Sequence, residues 1–188
     1  MRFELQAATA HYLSNLDFTN IPTISPENEN KLIDLALYLA KGRTTIFKDY
    51  VAGQLANLQV VASEMPTRVV KQLKKLAIAL ALIRGKESVG AEEMQTVVRV
   101  TEDTINPDFK DILDAIDHLG GRAVADNIEK ECFGTHPQTI KNNLKVMRYA
   151  KLLEYYEEDE KPIYAISAQM QRYINTINTI KQRSQQRK

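Results

Sequence analysis

Apolar side chains return at helical spacing through most of this 188-residue chain, and the places where that spacing breaks mark its organisation. Phe3, Leu5, Tyr12, Leu13 and Leu16 make a first, loose helical pattern that Asn20-Ile21-Pro22-Thr23 interrupts. Ser25-Pro26-Glu27 is a helix-start signal: a hydroxyl cap, a proline in the first turn, and a carboxylate near the positive end of the dipole. Leu32, Ile33, Leu35, Ala36, Leu39 and Ala40 line one face of this second helix, and Gly42 is expected to end it. Ile46, Tyr50, Val51, Leu55 and Leu58 then predict a shorter helix over residues 43–58. Pro66 opens the most hydrophobic segment, in which Val69, Val70, Leu73, Leu76, Ala77, Leu80, Ala81 and Ile83 wrap more than half the circumference. Gly85 closes it, and such a helix belongs in the middle of a bundle. Met94, Val97, Val98, Val100 and Thr101 predict a further helix from about residue 91 to 104.

Asn106-Pro107 is the best boundary, because proline biases its predecessor away from helix. It divides the chain into residues 1–107 and residues 108–188. In the second part Ile112, Leu113, Ile116 and Leu119 predict one helix, Gly120-Gly121 a turn, and Val124, Ile128 and Cys132 a short second helix. After Gly134, Thr135 and Gln138 are spaced as a capping box around Pro137. The helix they start has Ile140, Leu144 and Met147 on its apolar side and Gln138, Lys141, Asn142, Lys145 and Arg148 on the other. From Leu153 the period changes to two, giving two short strands around the acidic run Glu157-Glu158-Asp159-Glu160. Helix, turn, helix, then such a hairpin is the outline of a winged helix-turn-helix, whose second helix enters the DNA major groove. A last amphipathic helix carries Met170, Tyr173, Ile174, Ile177 and Ile180, a stripe that requires a cover. The expected fold is therefore mainly α: a helical bundle, then a winged helix-turn-helix with a two-stranded wing and a C-terminal helix.

Composition changes this picture little. A hydrophobic share of 44% with 26% charged residues is ordinary for a globular protein, and no apolar run is long enough to cross a membrane. Net charge is only +1, so bulk charge does not announce a nucleic-acid binder. Its distribution is more telling, since residues 167–188 hold Arg172, Lys181, Arg183, Arg187 and Lys188 and no acid. The single cysteine, Cys132, rules out an internal disulfide and fits a reducing, cytoplasmic setting. His11 and His118 have no second ligand at metal spacing, so neither a metal nor a cofactor is expected. No phosphate-binding Gly-x-x-x-x-Gly-Lys-Ser/Thr loop occurs, and no catalytic constellation is recognisable.

The candidate chemistry is concentrated on the capped helix. Lys141, Lys145 and Arg148 have the charge to neutralise phosphates, Gln138 and Asn142 have amides that read adenine edges, and His136 sits where a phosphate meets a helix start. The bland alternative is a solvated helix face, since lysine and asparagine are common on any surface. The acidic hairpin argues against a wing that tracks a groove, because four consecutive carboxylates repel phosphate.

Residues 66–105 (PTRVVKQLKKLAIALALIRGKESVGAEEMQTVVRVTEDTI) look like the helical lid of AAA+ ATPases. They resemble the lids followed by a winged helix, as in the MCM, origin-recognition and phage- or plasmid-type enzymes. The resemblance runs over roughly residues 25–166 and lacks the P-loop, Walker B and sensor-1 parts. It implies a non-catalytic C-terminal region that binds double-stranded DNA beside an ATPase core or neighbouring subunit. Arg68 then takes the sensor-2 position, where a guanidinium fork meets the nucleotide's terminal phosphate. Two other readings remain open: a transcriptional regulator forming a homodimer through the C-terminal helix, and a protein-interaction adaptor that never touches DNA.

Overall fold

The computed structural model describes residues 2–16, 18–51, 54–62 and 64–185. In chain order they form helix α1 (Arg2–Ser14), helix α2 (Pro26–Gly42), strands β1 (Thr45–Val51) and β2 (Gln54–Ala62), and helices α3 (Pro66–Ile83) and α4 (Ala91–Asp103). These are followed by helix α5 (Pro107–His118), strand β3 (Arg122–Val124), helices α6 (Ala125–Glu131) and α7 (Pro137–Tyr149), strands β4 (Leu153–Glu158) and β5 (Lys161–Ile166), and helix α8 (Ala168–Gln185). The fold is mainly helical, with two small antiparallel sheets.

Proline at the first position starts α2, α3, α5 and α7, where its missing N–H has no intrahelical partner to lose. Ser25 Oγ caps α2 by accepting from the Asn28 N–H at 3.2 Å, and Asn106 Oδ1 caps α5 by accepting from the Asp108 N–H at 3.0 Å. Gly42 does not terminate α2 by its backbone freedom; Arg43 is the C-cap. The glycine is needed because Ile105 packs onto it, and a Cβ there would lie 2.3 Å from Ile105 Cδ1.

Residues 43–58 do not form the expected helix. They supply β1 and most of β2, an antiparallel pair with Lys48 opposite Leu58 and Asp49 opposite Asn57. The register slips between Asp49 and Tyr50, so that Tyr50 faces Leu55 and Ala56 is the extra residue of a bulge. The bulge explains the misreading. It puts Leu55 and Leu58, three residues apart, on the same core-facing side, which imitates helical spacing. The β-branched and aromatic residues Thr44, Thr45, Ile46, Phe47 and Tyr50 favour the extended form.

Leu32, Leu35 and Leu39 of α2, Val69, Leu73 and Ala77 of α3, and Val97 and Val98 of α4 are buried together. The apolar stripe of α8 (Met170, Tyr173, Ile174, Ile177 and Ile180) is buried too, with α8 lying against α2 and α4. The stripe is thus covered within the chain and offers no apolar face to a second copy. Polar ties reinforce it: Arg172 and Thr176 both bond to the Asp34 carboxylate, at 2.8 and 3.1 Å, Lys181 pairs with Glu102 at 2.8 Å, and Gln171 donates to Asp117 of α5 at 3.1 Å. The helix placed by sequence beyond the Asn106-Pro107 boundary therefore reaches back across it. Arg187 and Lys188 of the basic tail lie outside the described residues.

The same buried cluster continues through Phe109, Ile112 and Ile116 of α5, Ile128 of α6, and Ile140, Leu144 and Met147 of α7. Gly120 and Gly121, at φ +89° and +86°, turn the chain out of α5 in a conformation that favours glycine. The three residues of β3 follow directly and pair with β5, giving a sheet of order β3-β5-β4 that the sequence pattern did not reveal.

Candidate nucleic-acid interface

The α7 helix is the best-defined surface feature. Its N-cap is His136 and not Thr135: the ring Nδ1 accepts from the Gln138 N–H at 3.2 Å, so the proton of the neutral ring sits on Nε2. The capping box read from Thr135 and Gln138 is corrected accordingly. A ring nitrogen can satisfy the same orphan amide as a hydroxyl, and here the chain enters the helix one residue later. His136 is exposed, but Nδ1 is committed to the helix and cannot also serve a ligand.

At 100° per residue, Gln138, Lys145, Tyr149 and Asn142 project within about 60° of one another, and Lys141 and Arg148 border them on one side. Gln138, Lys141, Lys145 and Arg148 are exposed, and neither α8 nor any other described element covers them. Four of these predicted residues have partners of their own. Gln138 Nε2 donates to Asn142 Oδ1 at 3.1 Å, one turn apart, which aligns the two amides and uses one polar end of each. Lys141 Nζ lies 3.4 Å from Glu129 of α6, so its charge is partly offset. The Arg148 guanidinium stacks over the Tyr155 ring at 4.1 Å from its centroid, and this contact fixes β4 against the helix. Lys145 makes no hydrogen bond or ion pair among the described residues. Arg68 stands exposed in the first turn of α3 and shares no hydrogen bond or ion pair with the α7 group.

Sequence reasoning missed two residues on this helix. Tyr149, 46% exposed, lies at the centre of the polar face, four residues beyond Lys145, a spacing visible in the sequence. Asn143 is only 3% exposed and joins three elements: its amide donates to Asp108 Oδ2 of α5 at 3.2 Å, and its oxygen accepts from Lys48 Nζ of β1 at 3.4 Å. A buried amide satisfied on both ends fixes the rotation of α7 on its support.

The β4–β5 hairpin forms as expected, with Glu158 opposite Lys161 and the turn at Asp159 and Glu160. Both turn residues have positive φ, 51° and 60°, the geometry of a type I′ turn without its usual glycine. Tyr155 and Tyr164 pack edge to face across the strands at 5.5 Å. Glu154, Glu157, Glu158, Asp159 and Glu160 are all exposed, and Arg122 lies 3.8 Å from Glu158.

Other candidate chemistry is quiet. Cys132 is buried with its thiol against the Asp111 carbonyl, and burial pushes its pKa up, away from the reactive thiolate. Among the described residues no group of three His, Cys, Asp or Glu converges as a metal site, and no helix is long and apolar enough to cross a membrane. Comparison with protein-family models and with curated proteins gives no match for this chain.

Proposed function

We propose that this chain binds double-stranded DNA through α7, as a winged helix-turn-helix in which α5, α6 and α7 are the three helices and β4–β5 is the wing. The observation that carries the proposal is the exposed face of α7, where two aligned amides, an unpaired ammonium group and an aromatic ring project from a helix braced on three sides. Amides and a tyrosine at that spacing suit base edges and thymine methyl groups, while Lys145 suits a phosphate. The lid-like run over residues 66–105 supports a role beside an AAA+ ATPase core, with this chain supplying DNA contact and no ATP chemistry of its own. In that setting Arg68 faces the nucleotide of the core.

Fluorescence anisotropy on a short duplex at several salt concentrations tests the reading. Wild type shows affinity that falls steeply with salt, and Lys145→Ala lowers the slope by about one. No salt-sensitive binding at low ionic strength would favour the adaptor reading, for which the carboxylate-rich hairpin is the specific support.

A further inference from the structure

The two hairpins flank α7 on different sides and differ in charge. Arg148, stacked on Tyr155, marks the side of β4–β5. Asn143, Val146 and Ala150 recur three and four residues apart along another flank, and there Asn143 meets Lys48 of β1. Arg148 and Asn143 are five positions apart, roughly 140° around the helix. The exposed face with Gln138, Lys145 and Tyr149 fills the wider arc between these flanks, about 220°, and buried Ile140, Leu144 and Met147 fill the narrower one.

On the β4–β5 side five carboxylates stand against Lys161 and Arg122. On the other side Arg43 and Lys48 line one cavity and Lys41 lies near Lys151, while the acids bonded there are Glu64 and Asp108. Those two acids are engaged, Glu64 by Arg43 at 3.1 Å and Asp108 by the Asn143 amide. Along β1, Asp49 turns to the face opposite Lys48. A cavity of about 390 Å³ opens between the hairpin base and α7, lined among others by Arg43, Thr44, Thr45, Lys48 and Val146. Lys41 adjoins the lining residue Gly42 in sequence, and Lys151 is near enough to disfavour the Lys41 charge. Partial burial, and then the Lys151 ammonium, push the Lys41 pKa below its ordinary value. An anion placed between them relieves that repulsion.

Resting on the proposed DNA contact by α7, we infer that the duplex is seated asymmetrically: its backbone lies on the β1–β2 flank, where Lys41, Lys48 and Lys151 take phosphates, and the β4–β5 hairpin is held away from the phosphates by its own charge. The β1–β2 pair, and not the wing, is the second arm of the interface.

Salt-dependent anisotropy separates this inference from the reading beneath it. Lys41→Ala, Lys48→Ala and Lys151→Ala each lower the salt slope by about one and weaken binding several-fold, as Lys145→Ala does. A second measurement uses the full chain with one surface cysteine, at Asp49→Cys on β1 or Asp159→Cys at the β4–β5 turn, carrying an iron-EDTA cleavage reagent; buried Cys132 is not labelled. Strong duplex cleavage from position 49 and weak cleavage from position 159 is the expected result. If Lys145→Ala lowers the slope but the three flank lysines do not, or if position 159 cuts more strongly than 49, the asymmetric seating is overturned and the α7 contact stands. Absence of duplex binding by wild type overturns both.

Discussion

Replacing Glu93 by glutamine isolates the charge of the most thoroughly buried acid among the described residues. Glu93 is 0% exposed, yet its carboxylate accepts from Arg84 Nη1 at 2.7 Å, Lys86 Nζ at 2.9 Å and the Gly90 N–H at 2.9 Å. Burial alone raises its pKa; the donors from Lys86, Arg84 and Gly90 outweigh burial and hold it at about 2, below the ordinary 4.5. A folded-state pKa below the unfolded one contributes stability that is fully present above about 4.5 and disappears as pH falls through about 2. The full difference corresponds to an upper bound of about 3 kcal/mol at neutral pH. Arg84 and Lys86 are about a third exposed and keep Glu92 as a partner, so the expected loss for Glu93→Gln at pH 7 is about 2 kcal/mol. Urea denaturation at pH 7 and pH 3 is the assay. The gap between wild type and variant shrinks at pH 3 to roughly 40% of its neutral value, because the unfolded carboxylate, with its ordinary value of 4.5, is then mostly protonated. Equal stabilities at pH 7, or a gap that does not narrow on acidification, would refute the reasoning.

Gly42→Ala destabilises by about 1–3 kcal/mol, because its Cβ would enter the space of Ile105 Cγ1 and Cδ1, and Ile105→Val in the same chain recovers part of the loss. Differential scanning calorimetry reads it, and an unchanged Tm contradicts the close packing. Glu160→Gly removes a side chain from a left-handed turn position and raises stability by about 1 kcal/mol, seen as a Tm increase of a few degrees; a decrease refutes the turn assignment. Asp34→Ala removes the shared acceptor of Arg172 and Thr176 and lowers stability by about 1–2 kcal/mol, with hydrogen exchange rising first in α8. Undisturbed exchange in α8 would show that the carboxylate does not hold it.

The legible parts of this molecule are those where local chemistry and global packing agree. α2, α3, α5 and α7 follow from proline starts and, like α4, from apolar residues at helical period, and the β4–β5 hairpin from period two around an acidic run. The illegible parts have specific causes. The bulge at Ala56 disguised β2 as a helix, and β3, at three residues, is too short to carry a pattern. Gly42 looked like a helix stop because a glycine selected for contact with Ile105 has the same letter as one selected for positive φ. At the interface, the outward direction of Gln138, Lys141, Lys145 and Arg148 was readable from periodicity. The pairing of Lys141 with Glu129, the Asn143 tie and the approach of Lys48 were not, because each depends on elements far apart in sequence.

The most direct measurement is an amide-resolved NMR titration of the full chain with a short duplex at low salt. The account predicts shifts concentrated at Gln138, Asn142, Lys145 and Tyr149, fading as salt is added. Amides along 138–149 that stay unmoved by a saturating duplex, while others respond or none do, would contradict it.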